Sequence, residues 1–331
     1  MDHAPQRNLF LLVDLDSPLS QAHTDLLRAA ADSTFDELTV FISLEGIERI
    51  SRETGWTQMQ RRVAEIYAVA AGQALQRDSL LKIDVVPLDF SAYAAEDMEP
   101  YARLPTAAIS KDIQAAPEWW PSEMRDSMSR SSPEASIDRA AVASTNCASS
   151  TRAATPWTAY PHVAVGGTFD HLHVGHKILL TATALAATKR VVCGISADAL
   201  LEKKKYKQLL EPYRQRELNV LLFLRKIRKD LIVELAPLTE PCGPTAVDAS
   251  IGALVVSHET LEGSRALNVR REENGLAPMQ LMPIDLIATP SSADRTRPMH
   301  ASAENTALKI SSTAIRAALA EKQQRGSRPL R

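Results

Sequence analysis

One stretch, V-A-V-G-G-T-F-D-H-L-H-V-G-H at residues 163–176, limits what this chain can fold into more than any other segment. An apolar run ends in Gly166 and Gly167, and a segment with helical periodicity follows. Glycines let the backbone approach a ligand closely, and the free N–H groups and dipole of a helix start favour an anion. His173 and His176 are three residues apart and would share one face of the first helical turn. The stretch therefore predicts a strand, a phosphate-binding turn and a helix.

The C-terminal half alternates between apolar runs and amphipathic segments. The runs predict strands at 161–166, 190–195, 231–236, 252–257 and 279–284. The amphipathic segments predict helices at 174–188, 212–229, 260–274 and 311–323. This alternation is typical of a parallel sheet that binds ligands at the carboxyl ends of its strands. We expect an α/β fold with a Rossmann-like, parallel, five-stranded sheet.

The N-terminal part has an α/β pattern of its own without a glycine-rich loop. Strands are predicted at 9–15, 38–44 and 81–88, and helices at 17–31 and 58–75. A segment rich in Ser, Ala, Thr, Pro and Arg then shows little periodicity. We expect three parts: a smaller α/β domain at 1–106, a flexible low-complexity linker at 107–158, and the motif-bearing domain at 159–325.

Charge and composition narrow the class of partner. The net charge is -2, yet residues 1–160 hold 14 Lys and Arg against 23 Asp and Glu, and residues 161–331 hold 24 against 17. The basic half carries the phosphate motif, as expected for an anionic ligand. Aromatic residues make up only 5% and no basic run is interleaved with them, so no nucleic-acid partner is expected. No apolar run reaches about 18 residues, so we expect no membrane association and a cytoplasmic protein, with the nucleus as the alternative.

A second motif lies far downstream. Residues 309–316 read K-I-S-S-T-A-I-R, where Ser311 and Ser312 suit a helix N-cap and Arg316 lies one turn inside. Taken with G-T-F-D-x-x-H-x-G-H, this resembles the nucleotidyltransferase superfamily that carries the H-x-G-H motif. The resemblance implies a transferase that moves a nucleoside monophosphate from a triphosphate.

Three further segments narrow the resemblance. They are K-K-K-Y-K-Q-L-L-E-P-Y-R-Q-R at 203–216, P-C-G-P at 241–244, and V-S-H-E-T with N-V-R-R between 256 and 271. Over about residues 160–322, the ordered set resembles the phosphopantetheine adenylyltransferases of the eukaryotic and archaeal type. The resemblance implies transfer of AMP from ATP to 4′-phosphopantetheine, giving dephospho-CoA and pyrophosphate in coenzyme A biosynthesis. Mg²⁺ would accompany ATP, no metal site in the protein is implied, and a complex of CoA-biosynthesis enzymes is an implied partner.

The resemblance also implies site residues. His173, His176, Lys204 and Arg271 would be catalytic, with His176 at the α-phosphate and Arg271 at the β- and γ-phosphates. The implied nucleotide- and substrate-binding residues are Gly166, Gly167, Thr168, Phe169, Asp170, Arg216, Ser257, Glu259, Asn268, Ser311, Ser312, Thr313 and Arg316.

Alternatives remain for both the site and the function. His171, His173 and His176 could form a zinc cluster, Asp170 could hold the turn rather than a substrate, and the lysines of 203–207 could be a solvated surface. A cytidylyltransferase acting on a phosphorylated small alcohol shares the first motif, although the R-Y-V-D-E-type segment of those enzymes is absent here. A non-catalytic scaffold of a CoA-synthesis complex is the alternative from another class.

Overall fold

A computed structural model describes residues 4–45, 52–77, 81–93, 97–98, 106–109, 157–240, 242–284 and 311–326. These residues form two parallel sheets, one in each half of the chain. Among them, no helix is both long enough and apolar enough to cross a bilayer.

The first sheet has four parallel strands in the order β3-β2-β1-β4. Its strands are β1 (Ala4–Asp14), β2 (Thr34–Glu45), β3 (Lys82–Pro87) and β4 (Thr106–Ile109). Its helices are α1 (Gln21–Ser33), α2 (Arg52–Gln76) and the single turn α3 (Leu88–Ser91). The predicted elements all occur, but α1 begins four residues later than predicted. The reason is its cap, because the Ser20 side chain accepts a hydrogen bond from the His23 amide at 3.2 Å.

The segment 107–158 is described only at its two ends. Strand β4 pairs with β1 at its start, and Trp157 is buried at its other end. The rest of the expected linker, including Trp119 and Trp120, lies outside the described residues.

The second sheet has five parallel strands in the order β7-β6-β5-β8-β9, which confirms the predicted architecture. Its strands are β5 (Tyr160–Gly167), β6 (Ala187–Ser196), β7 (Ile232–Leu238), β8 (Ala253–Ser257) and β9 (Gln280–Ile284). Its helices are α4 (Val174–Ala186), α5 (Tyr213–Ile227), α6 (Leu261–Glu273) and α7 (Ser312–Gly326). The chain runs outward from β5 to β7 and then returns to β8 on the other side of β5. Ligands bind at such a switch point, outside the carboxyl ends of the strands.

Both faces of the second sheet are covered. Side chains on β5 alternate, so that Val163 and Val165 face one apolar cluster while Ala164 faces another. The cluster around Ala164 includes Leu267 of α6. The cluster around Val163 includes α4 and α5, and it also contains Phe41 and the other core residues of the first sheet. The two sheets therefore share one continuous core on the α4 side.

Candidate active site

The first motif forms a tight turn between β5 and α4. Gly166 and Gly167 end β5, and the backbone then takes a positive φ at Phe169 (51°) and at His171 (47°). Residues with side chains rarely adopt this region, and such conformations cluster at functional sites. Phe169 is fully buried under the turn. Gly167, at the end of β5, therefore lies beside the buried ring of Phe169.

The two motif histidines lie together at the start of α4. His173 is the N-cap residue, with φ -100° and ψ 175°, and His176 lies in the first turn. Their rings stack with centroids 3.9 Å apart and planes inclined by 25°. The His176 ring also packs on Phe169, with centroids 5.3 Å apart. The predicted shared face is confirmed by this stack.

Both imidazoles are partly buried. Burial lowers the pKa of His173 to about 4, with Asp170 opposing the shift and the charges of Lys177 and His171 adding to it. Burial, reinforced by His173, lowers the pKa of His176 well below its ordinary value. The Nδ1 atoms of both rings are buried, and no residue in the described ranges offers them a hydrogen bond. Two neutral rings with unmet hydrogen-bonding capacity stand at a helix N-terminus, where an anion is stabilised.

Asp170 is the point where the two distant motifs meet. Its carboxylate accepts a hydrogen bond from the Glu211 amide at 2.8 Å and forms a buried ion pair with Arg316. Its backbone oxygen accepts a hydrogen bond from the Ser312 hydroxyl at 2.8 Å. The N-terminus of α7 is therefore attached to the turn that precedes α4, and Asp170 itself holds the turn.

Arg216 fixes the other side of the same turn. The guanidinium is fully buried and donates to the backbone oxygens of Thr168 (2.9 Å), Ser196 (2.8 Å) and Glu211 (3.0 Å). It also pairs with the Asp198 carboxylate at 2.9 Å. Because its donors are used in this way, Arg216 positions the turn.

An open cavity of about 290 Å³ lies at the switch point. Gly166, Gly167 and Ser257 from the carboxyl ends of β5 and β8 contribute to its lining, as do Gly194 and Leu238. A Cβ at Gly194 would come within 2.7 Å of Leu238, so a side chain here would displace Leu238 in the cavity wall. The cavity lies where the fold predicts a ligand.

Several predicted residues are exposed near the motifs. Glu259 and Lys204 are exposed, and the lysine segment is anchored where Arg316 donates to the Lys205 oxygen at 3.1 Å. Ser311 is exposed and caps α7 by accepting from the Ala314 amide at 3.2 Å. Thr313 accepts from Arg316 at 3.2 Å.

Two predicted residues on α6 are engaged elsewhere. The Asn268 amide pairs in both directions with the backbone of Met279, each contact at 2.9 Å. The Arg271 guanidinium is 1% exposed and donates to four backbone oxygens, those of Thr245, Asp248, Ile251 and Ala277. This differs from the expected contact of Arg271 with the β- and γ-phosphates, because its donors already serve the backbone that surrounds α6. Arg271 and Asn268 therefore hold the backbone around α6 in place.

Metal-binding groups of at least three His, Cys, Asp or Glu side chains do not occur in the described part of the chain. The Nε2 atom of His171 is engaged outside the other two histidines, since it lies 2.8 Å from the Leu209 oxygen. The zinc-cluster alternative receives no support from these contacts.

Comparisons with known proteins agree with the motifs. The Cytidylyltransferase-like family model matches residues 164–318. A phosphopantetheine adenylyltransferase from Pyrococcus furiosus is 36% identical over 160 residues, which span 48% of this chain and 89% of that protein. The chain belongs to the phosphopantetheine adenylyltransferase family.

Two longer relatives match over a smaller part of their length. A phosphopantetheine adenylyltransferase from Saccharomyces cerevisiae is 45% identical over 124 residues, covering 38% of this chain and 41% of that protein. An uncharacterized protein from Schizosaccharomyces pombe is 43% identical over 158 residues, or 48% of each chain. The chain thus matches less than half the length of these two relatives. The family match begins at residue 164, so the first sheet lies outside it.

The phosphopantetheine adenylyltransferase domain also uses residues that the sequence did not single out. Glu211 joins the turn to α5, since its carboxylate accepts from the His171 amide at 2.6 Å. The sequence did contain a signal for Glu211, because this residue stands in the E-P-Y segment directly before a predicted helix. Lys177 was also missed; it is the one Lys, Arg, Asp or Glu in α4, which is otherwise mostly apolar.

Proposed function

We propose that this chain transfers AMP from ATP to 4′-phosphopantetheine, giving dephospho-CoA and pyrophosphate. The observation that carries the proposal is the meeting of two helix N-termini at one turn. Helix α4 presents the stacked His173 and His176, and α7 presents Ser311 and Ser312, with Asp170 between them. Two such ends and neutral imidazole donors suit a polyphosphate and a second phosphate group.

The reaction needs placement and charge stabilisation. The attacking group is a phosphate oxygen, which is already anionic near neutral pH because the second pKa of a phosphate monoester is about 6. This oxygen attacks the α-phosphorus of ATP, the bond to the bridging oxygen breaks, and pyrophosphate leaves with the electron pair. No general base or covalent intermediate is required.

The described residues support distinct roles in this step. His176, packed on Phe169, stabilises charge at the α-phosphate, and His173 holds the nucleotide phosphates. The turn at Gly167 and Thr168 supplies backbone donors, and its shape is set by Arg216 and Asp170. Lys204, exposed on its loop, steers the reacting phosphates. The cavity beside Ser257 accommodates the uncharged part of a substrate.

Mg²⁺ enters this proposal only as the companion of ATP. The described residues contain no acidic or histidine cluster suited to hold it, and Mg²⁺ commonly binds through substrate phosphates and water. Cytoplasmic or nuclear location and association with other CoA-biosynthesis enzymes stay predictions.

The test is pyrophosphate release by the purified full chain with Mg²⁺, 4′-phosphopantetheine, and either ATP or CTP. Release with ATP but not CTP is the expected result. Turnover with CTP on another phosphorylated acceptor, and none with ATP, would assign the chain to the cytidylyltransferases. No pyrophosphate release with either nucleotide would favour the scaffold alternative.

A further inference from the structure

The first sheet is hydrogen-bonded to the first turn of helix α4. Lys177 follows His176 directly, is 4% exposed, and is hydrogen-bonded through its amide to the His173 oxygen at 3.0 Å. Its ammonium donates to the Asp84 carboxylate and to the Ile83 oxygen, both at 2.7 Å. Both acceptors belong to β3. A strand from outside the family match therefore contacts the turn that carries both motif histidines.

The contact is part of a buried charge network. Asp84 is 1% exposed, and its second oxygen accepts from Lys226 of α5 at 2.7 Å. Lys226 also donates to Glu37 of β2 at 2.6 Å. Burial raises the pKa of Asp84, but Lys177, Lys226 and Lys82 outweigh burial and hold that pKa well below its usual range. Asp84 is thus a permanent anion near neutral pH that neutralises a cation on α4.

The far end of α4 is held from the same side. The Trp157 ring packs between Trp56 of α2 and Phe90 of α3, with centroids 6.0 and 5.3 Å away. Its indole nitrogen donates to the Leu185 oxygen in the last turn of α4 at 3.2 Å. The last turn of α4 is thus held by aromatic packing and one hydrogen bond, whereas its first turn is held by a buried ion pair.

We propose that Asp84 is a positioning residue for the reaction, acting through Lys177 to fix the first turn of α4 and with it His173 and His176. This inference rests on the proposed function for its kinetic consequence, although the structural consequence can be measured without turnover. Removing one partner of a buried ion pair leaves the other charge uncompensated. The freed Lys177 would then shift or lose its proton, and the histidines that share its turn would lose their fixed position.

The matched pair of variants is Asp84→Asn and Glu37→Gln in the full chain. Each removes one buried or half-buried carboxylate that pairs with Lys226, but only Asp84 contacts α4. Amide hydrogen exchange over 177–180 of α4, compared with β5 and α7, reports whether the loosening is local. A merely structural loss would accelerate exchange in all three segments together.

For Asp84→Asn we expect at least about 10-fold faster exchange in α4 alone and a kcat about 10- to 100-fold lower. The KM for ATP should change by less than about 3-fold, because nucleotide binding is shared among many groups. Glu37→Gln should keep both the wild-type α4 exchange and the wild-type kcat. Equal behaviour of the two variants, in exchange and in kcat, would overturn the proposal.

The titration of His173 by NMR gives an independent readout. Asp170, Lys177 and His171 act on it electrostatically, and the His176 ring stacks against it. Loss of the Lys177 charge in Asp84→Asn should raise the His173 midpoint, and Glu37→Gln should leave it unchanged. An unchanged midpoint in both variants counts against the proposal.

Two further comparisons distinguish misfolding of the variant, and failure of the proposed function, from failure of the Asp84 proposal. If Asp84→Asn does not fold, Asp84→Glu keeps the charge and displaces the contact by one methylene, and the same local exchange and kcat changes are expected with smaller size. If the wild-type chain shows no turnover, the proposed function fails, while the exchange comparison still decides whether Asp84 holds α4.

Discussion

The ring of Phe169 lies where a side chain on Gly167 would stand. A Cβ at Gly167 would come within 3.1 Å of two atoms of that ring. The ring is buried and packs on His176, so a ring displaced by that Cβ would press on His176. Glycine at this position therefore avoids a close contact that would disturb the histidine site.

Substituting this glycine should damage stability and turnover together. We expect Gly167→Ala to lower the free energy of unfolding by about 1–3 kcal/mol, typical of overpacking, and to lower kcat because Phe169 pushes on His176. Denaturant unfolding and pyrophosphate release measure the two effects. The comparison variant is Gly166→Ala, whose Cβ would meet its nearest neighbour only at 3.7 Å. An equal loss of stability in both variants would contradict the steric explanation.

The role of His176 can be measured directly. His176→Ala should reduce kcat by about 10²–10³-fold, the usual effect of losing one donor to the transition state. Steady-state pyrophosphate release checks this value. His162→Ala is the control, since it removes an imidazole from the other end of β5. A kcat that stays at the wild-type level in His176→Ala would remove His176 from the mechanism.

The low pKa of His173 has a consequence for stability. The pKa is about 4 in the folded chain against an ordinary 6.5. Between these two pH values the unfolded chain binds more protons, so the free energy of unfolding should fall as the pH drops from 6.5 towards 4. His173→Gln should lose less stability over the same window. Denaturant unfolding at pH 7 and pH 5 tests this, and parallel slopes for the two proteins would refute it.

The Asp170–Arg316 pair should be worth far more than a surface pair. Asp170→Asn leaves the buried Arg316 charge uncompensated and should cost about 3–5 kcal/mol of stability. Arg214→Ala breaks the exposed Arg214–Glu217 pair, which water and salt screen, and should change stability little. Chemical denaturation measures the loss of stability in each of the two variants. Similar losses would mean that the bond between the two motifs contributes little to the fold.

Arg271 should behave as a structural residue. Lysine cannot satisfy the four backbone oxygens that its guanidinium contacts, so Arg271→Lys should lose about 1–3 kcal/mol of stability. The KM for ATP of the folded variant should remain within about 2-fold of the wild-type value. Thermal unfolding and ATP titration measure these two quantities. A KM raised by an order of magnitude would restore Arg271 to the phosphate site.

Much of the architecture was predictable from the sequence, because hydrophobic periodicity reports which residues face a core. The order of strands and helices in both halves follows from it, and the motifs place the turn at Gly167 and the cap at Ser311 correctly. What the sequence could not supply is the direction of long side chains. Arg216, Arg271 and Arg316 occur in motif positions suited to phosphate, yet all three donate to groups of the protein itself.

The sequence also could not predict which charged residues pair when they lie far apart along the chain. The Lys177–Asp84 pair joins residues 93 positions apart, across a segment with little periodicity. A lone lysine in an apolar helix indicates that a partner must exist, since an unpaired buried ammonium is costly. Nothing in the pattern identifies which of the 40 acidic residues it is.

The continuous core on the α4 side affects whether the C-terminal half of the chain can be produced alone. A fragment that begins after Trp157 would expose the α4 surface that α2 and Trp157 now cover, together with the unpaired Lys177. Apolar surface of this kind promotes aggregation. The two halves should therefore melt in one calorimetric transition, and the isolated C-terminal half should be recovered poorly from expression unless that helix surface is redesigned.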